Sequence, residues 1–416
     1  MNRSPVWHPF TQHGLNEPIP FITRAEGAWL YGAKDEKWLD CISSWWVTTH
    51  GHCHPRIMSA IRAQTEKLDQ LIFAGWTHEP AERLARSLIE ITPEPLKYCF
   101  FSDSGSTSVE VALKMALGYW RARNEPRHRI IVMEHSYHGD TIGAMSVGAR
   151  GVYNQAYAPL LFDVDTVPFP AESGQNTLDA LEALCCGAEK PAAFIAEPLI
   201  LGAGGMLIYA PHTLTEMRAI CATYRVLFIA DEVMTGWGRT GAMFACDQAG
   251  IAPDIMCLSK GLTGGAVPLA VTLATEAIYD AHYSASRADM FYHSSSYTAN
   301  PIACAAANAN LAIWGGEPVM ERIAALTKMQ TARLGTLDSP KIINKRQIGT
   351  ITAMDVASDT SGYLADIGPK MTAAFRARGL LLRPMGNVIY VMPPYCVTGD
   401  ELDLIYNAIG EVVAEN

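Results

Sequence analysis

Short apolar runs that stop at polar or acidic residues recur through the middle of the chain, with helical stripes between them. PAERLARSLIEIT, from residue 80, predicts a helix, and KYCFFSD (97–103) predicts a short strand. SVEVALKMALGYWRAR (108–123) carries Val109, Ala112, Leu113, Ala116 and Trp120 on one stripe and predicts a second helix. Buried strands are expected at RIIVME (129–134), AAFIAEP (192–198), VLFIADE (226–232) and DIMCLSK (254–260), with a helix at 211–224. This alternation predicts an α/β fold, a mostly parallel sheet between helices.

The flanks read differently. PFITRAEGAWLYGAKDEKWLD alternates around a Gly32–Asp35 turn and predicts a hairpin. Residues 54–71 carry Ile57, Ile61, Leu68 and Leu71 at roughly helical spacing. Trp45 and Trp46, taken as neighbours in a strand, point to opposite faces, so at most one need be packed inward. Beyond residue 310 come a helix at 305–314, a polar helix around 317–335, strands at 349–356 and 387–394, and helices at 364–378 and 400–414. This is the pattern of a smaller α+β unit. The expected organisation is a large domain over 51–312 and a small domain made of residues 1–50 and 313–416.

Composition narrows the function. The 416 residues are 49% hydrophobic and 18% charged, with a formal net charge of −10 and no basic run. Nucleic-acid and anionic-membrane partners need a basic patch, so neither is expected. No stretch of about 18 apolar residues predicts a membrane span. MNRSPVWHPFTQ lacks the apolar core of a secretory signal. Ten scattered cysteines without a C-x-x-C pair point to reduced thiols and a cytoplasmic protein. HGHCHP (50–55) clusters histidines, but no second ligand cluster has metal-site spacing, so no metal is expected. Neither a dinucleotide fingerprint nor a P-loop is present.

Two strand ends carry candidate chemistry. Lys260 follows the run Ile255–Leu258 and precedes glycines, and Asp231 and Glu232 end the run Val226–Ala230. Open parallel sheets bind ligands at the carboxyl edge. A lysine and an aspartate delivered there are what a pyridoxal phosphate enzyme requires. Each also has an ordinary reading, a solvated lysine and a capping or ion-paired acid. SDSGSTS (102–108) precedes a helical stripe, where backbone N–H groups and hydroxyls would suit a phosphate, or where a serine simply caps the helix. Tyr137 and His138, directly after a strand, stand on the same edge and offer a flat ring.

Together these segments resemble a known family. SDSGS, the YHGD loop, IAEP, IADEV-x-TG-x-GRTG and CLSKGLTGG occur in the order of the class III, fold-type I aminotransferases that use pyridoxal 5'-phosphate. HPFTQ (8–12), SSWWVTTHGHCHP (43–55), ANPIACAAANA (299–309) and RPMGNVIYVMPPY (383–395) are similar to the biotin-pathway branch. The resemblance implies a homodimer with active sites at the interface, and 8-amino-7-oxononanoate as amino acceptor. S-adenosylmethionine, or alternatively lysine, would be the amino donor. It implies that Lys260 forms the Schiff base and carries the proton, and that Asp231 pairs with the pyridinium nitrogen. Ser104, Gly105 and Ser106 would hold the phosphate and Tyr137 would stack on the ring. HSSSY (293–297) would reach the other subunit's phosphate, placing Ser295 and Ser296 at the cofactor and Ser294 at the substrate. Phe10, Trp45, Trp46 and Tyr390 would line the substrate pocket, Arg383 would bind the substrate carboxylate, and Arg239 would add a polar contact. Three positions depart from the family pattern. Ser294 replaces a common glycine and Ser295 a common proline, while Phe10 replaces the tyrosine of adenosylmethionine users. An ω-amino-acid or diamine transaminase, or a non-catalytic protein that binds the cofactor, would share the core motifs.

Overall fold

The structure, a computed structural model, describes residues 4–415. Its central sheet has seven strands: Leu96–Ser102, Ile130–Met133, Asp165–Val167, Ala193–Ala196, Leu227–Asp231, Ile255–Leu258 and Ala270–Thr275. Across the sheet they run 96–102, 270–275, 255–258, 227–231, 193–196, 130–133, 165–167. Five of them pair in parallel, from 255–258 to 165–167. The central strands are buried along their whole length, which is why they read as continuous apolar runs.

Ala270–Thr275 was not expected from the sequence, and it runs antiparallel to both neighbours. Its small residues follow Gly264, Gly265 and Pro268 and blend into the loop signal. The helix expected from residue 108 begins at Gly105, three residues earlier. Ser104 is its N-cap, and its hydroxyl accepts from Thr107 N while Thr107 Oγ1 accepts from Ser104 N. The helix expected over 54–71 ends at Thr65, and Ile57 is its one buried residue.

The antiparallel strands Ile22–Glu26, Trp29–Gly32 and Lys37–Asp40 are joined in parallel by Leu380–Leu381, far along the chain. A separate three-stranded sheet contains Ile342–Ile348, Ile351–Val356 and Val388–Val391. The first of these is a polar strand that the sequence pattern does not reveal. One apolar cluster unites Leu39, Ile42 and Trp46 with Phe375, Ile389 and Ile409. The amino-terminal segment therefore packs on the carboxyl-terminal third. Trp45 and Trp46 lie in a tight turn, not a strand, with Ser43, Ser44 and Trp46 at positive φ. The turn still separates the indoles: Trp46 is 6% exposed and Trp45 is 46% exposed.

Candidate active site

Asp231 ends its strand and is buried. Its Oδ2 lies 2.7 Å from His138 Nδ1, and its Oδ1 accepts from Val233 N at 3.1 Å. His138 is buried too, and its Nε2 has no partner among the described residues. One strand away, Glu197 follows Ala193–Ala196 and accepts from Tyr137 N at 3.0 Å and Gly202 N at 2.9 Å. Burial pushes the Glu197 carboxyl up to about 7. Three consecutive loops are thus tied together at one sheet edge by two carboxylates.

The start of the Gly105–Ala122 helix meets this edge. A Cβ on Gly139, whose φ is +131°, would stand 2.1 Å from Ser106 Oγ, and one on Gly105 would stand 2.7 Å from Val233 Cγ1. Ser106 Oγ accepts from Asp140 N at 3.1 Å. Small residues let the neighbouring loops close on the helix start, where Gly105 N and Ser106 N have no hydrogen-bond partner among the described residues, an arrangement that suits an anion. Glu110 further anchors the edge, accepting from Thr141 Oγ1, Gly143 N and Ala144 N.

Lys260 follows the neighbouring strand in the left-handed region, at φ 46°, an uncommon conformation for a residue with a Cβ. Its Nζ lies 4.6 Å from the Trp46 ring centroid. Burial lowers its pKa to about 8, against opposing pulls from Asp231 and Glu197. The side chain lines a cavity of about 490 Å³, walled by Tyr137, Tyr153, Trp45, Phe10 and Arg383. A larger cavity of about 740 Å³ lies between the 55–65, 79–91 and 301–316 helices, and neither Lys260 nor Arg383 lines it. The chemistry therefore belongs to the smaller one. Trp46 Nε1 donates to Tyr390 Oη at 3.0 Å at its base.

Arg383 faces the same cavity. Its Nη2 donates to Tyr363 Oη at 3.1 Å and to Phe10 O at 3.3 Å. The rings of Trp45 and Phe10 lie 5.5 and 5.7 Å from its guanidinium carbon. Among the described residues it makes no ion pair. A partly buried guanidinium held by rings and neutral oxygens still lacks a counter-charge, which an anionic ligand group would supply.

The structure thus brings Lys260, Tyr137, Phe10, Trp45, Trp46, Tyr390 and Arg383 to one cavity, with Asp231, Gly105 and Ser106 on the neighbouring sheet edge. Two expectations are placed otherwise, and a third lies apart from this chain's cavity, as a role in the other subunit's site would require. The Ser104 hydroxyl is engaged in its helix cap. Arg239 is 1% exposed and outside the cavity lining, and its donors go to the backbone carbonyls of Trp46, Thr48 and Pro393. Those bonds make it an internal clamp, and its charge also acts on Lys260. Ser294, Ser295 and Ser296 lie on a surface loop away from this chain's cavity, where Gln70 donates to Ser296 O. Sequence reasoning missed the Glu197 tether, although Glu197 ends an apolar run just as Asp231 does. It also missed Tyr153 and Tyr363, solitary tyrosines that carry no local signal.

A pyridoxal phosphate fits these residues. The cradle at Gly105, Ser106 and Gly139 suits its phosphate, the Asp231 carboxylate suits its ring nitrogen, and the Lys260 amine stands free for its aldehyde. The aminotransferase class-III family model matches residues 10–413. The chain is 48% identical to the adenosylmethionine-8-amino-7-oxononanoate aminotransferase of Synechococcus elongatus, over 99% of its own length and 98% of that protein's. It is 37% identical to the protein of the same name from Geobacter sulfurreducens, over 98% and 95%. The crystal structure of the Methanocaldococcus jannaschii protein of that name matches with a TM-score of 0.94 at 34% identity, over 99% of this chain and 97% of that one. The PLP-bound form of an amine transaminase from an uncultivated Pseudomonas species matches at 0.92 and 31% identity, over 100% and 99%.

Proposed function

The chain belongs to the class-III aminotransferases, enzymes dependent on pyridoxal 5'-phosphate, and we propose that it aminates the ketone of 8-amino-7-oxononanoate. The product is 7,8-diaminononanoate, an intermediate of biotin biosynthesis, and S-adenosylmethionine is the amino donor, with lysine the competing candidate. The observation that carries this reading is Arg383, a guanidinium without an ion-pair partner among the described residues, on the cavity that Lys260 lines. An acceptor that ends in a carboxylate and carries its ketone along an aliphatic chain suits both ends. Tyr137, Trp45 and Phe10 supply apolar walls for the methylenes between them.

The bound cofactor supplies an aldehyde and an electron-withdrawing ring that stabilises negative charge on the carbon bearing the amine. Asp231 would hold the ring nitrogen protonated, and His138 orients Asp231. Gly105 and Ser106 would hold the phosphate at the helix start. Lys260 Nζ would serve as nucleophile toward the aldehyde and as the base that moves the proton at the amine-bearing carbon. With its pKa lowered to about 8, its neutral fraction grows as pH rises through that value, well below the range of an ordinary lysine. Tyr137, which lines the cavity, would stack on the cofactor ring. The position of Ser294, Ser295 and Ser296, away from this chain's cavity, supports a homodimer in which they serve the partner's site. All ten cysteines are free, which supports a reducing, cytoplasmic setting.

The test is a donor panel. Purified enzyme with pyridoxal phosphate and 8-amino-7-oxononanoate is given S-adenosylmethionine or lysine, and the diamine is followed by mass spectrometry. Diamine from either donor is expected. No diamine, with alanine formed instead from pyruvate and an ω-amine, would replace this reading with that of an ω-transaminase.

A further inference from the structure

Tyr363 reaches the cavity from the loop between the Ile351–Val356 strand and the Ile367–Ala377 helix. That loop is seated on Gly386, where a Cβ would lie 1.7 Å from Gly362 O. Gly362 N donates to Asn387 Oδ1 at 3.0 Å. The seat holds the Tyr363 ring against Tyr153, 4.9 Å between centroids, and against Phe10 at 6.5 Å. Among the described residues, both hydrogen bonds of Arg383 leave from Nη2, one of them to the Tyr363 hydroxyl, and Nε and Nη1 keep their donors free. Anchoring one nitrogen fixes the plane in which the others can meet a planar anion. The Tyr153–Tyr363 contact also stands between this cavity and two smaller ones of about 240 and about 200 Å³, which both rings line.

We propose that Tyr363 is the positioning residue that makes this cavity select a slender chain ending in a carboxylate. Its hydroxyl sets the Arg383 guanidinium, and its ring, with Tyr153, closes off the side cavities. The inference rests on reading the cavity as the site of an oxo-carboxylic acid. It is tested on the holoenzyme by calorimetric titration with octanoate and n-octanol, beside KM and kcat for 8-amino-7-oxononanoate. Tyr363→Phe keeps the ring and removes the hydroxyl. Octanoate binding is expected to weaken about tenfold and n-octanol binding by less than about twofold. KM for the oxo acid should rise with the octanoate constant, while kcat falls by less than about twofold. Tyr363→Ala, which opens the side cavities, should gain amination of a bulky ketone such as acetophenone. Equal weakening of both probes by Tyr363→Phe, or no change in either, would overturn the role of the hydroxyl. No gain of the bulky ketone in Tyr363→Ala would overturn that of the ring. If the split between probes holds but the wild type leaves 8-amino-7-oxononanoate unaminated, the proposed substrate fails and the role of Tyr363 stands.

Discussion

Lys260, Asp231 and Glu197 stand at or just past the ends of three adjacent central strands, whereas Phe10, Trp45, Tyr363 and Arg383 come from loops near the two ends of the chain. The first group is tied down by backbone: strand register, helix start and the N–H groups of Tyr137, Gly202 and Val233. The second group is held mainly by rings and by one shared guanidinium nitrogen. Rigid strands place reacting groups to a fraction of an ångström, while loops carry selectivity. The two sides should therefore fail differently: changes on the sheet side lower kcat for every substrate, and changes on the loop side alter which substrate is used.

The largest break is Lys260→Ala. Turnover should fall at least about 1000-fold with any donor, measured under steady state with excess substrate, because nucleophile and base are lost together. A companion measurement is the rate at which cofactor-free protein captures pyridoxal phosphate. It should rise through a midpoint near pH 8, because the folded-state amine loses its proton there. A midpoint near 10 would mean the amine is solvated. Asp231→Ala comes next, with kcat down about 100- to 1000-fold for all substrates alike, since a buried charge aimed at the reacting system is removed. The same variant leaves His138 without its buried partner, so its melting temperature should also drop.

On the other side, Arg383→Ala should raise KM for the oxo acid by about 10- to 100-fold, the worth of hydrogen bonds to a charged group. Acceptors without a carboxylate should be nearly untouched in the same assay. A uniform loss across acceptors would erase the distinction between the two sides. Phe10→Tyr is the mildest change. One added hydroxyl should shift the S-adenosylmethionine KM by about two- to tenfold while leaving the oxo-acid KM within error.

Much of the sheet side is legible in the sequence. Asp231 and Lys260 each end an apolar run, and such runs are buried strands whose ends are fixed by the sheet. Glu197 carries the same signal and was passed over. The loop side is not legible by that logic. Tyr153 and Tyr363 are brought together from positions 210 residues apart by the seat on Gly386, and no local pattern records such a contact. Two strands escape for opposite reasons. Ala270–Thr275 is short and follows glycines, and Ile342–Ile348 is polar at its centre, so neither shows the expected periodicity. Arg239 stands inside a glycine-rich motif, and only the structure reveals its burial among backbone carbonyls. The tight turn at Trp45 and Trp46 depends on left-handed backbone at serines, which period counting does not detect.

The Arg239 clamp has a consequence for how this pocket can evolve. It grips the carbonyl oxygens of Trp46, Thr48 and Pro393 and none of their side chains. Every amino acid presents the same carbonyl, so the clamp itself does not depend on which side chain stands at Trp46, the one of the three that lines the cavity. A pocket side chain can therefore change there at the cost of its own packing, while the backbone that carries it stays anchored.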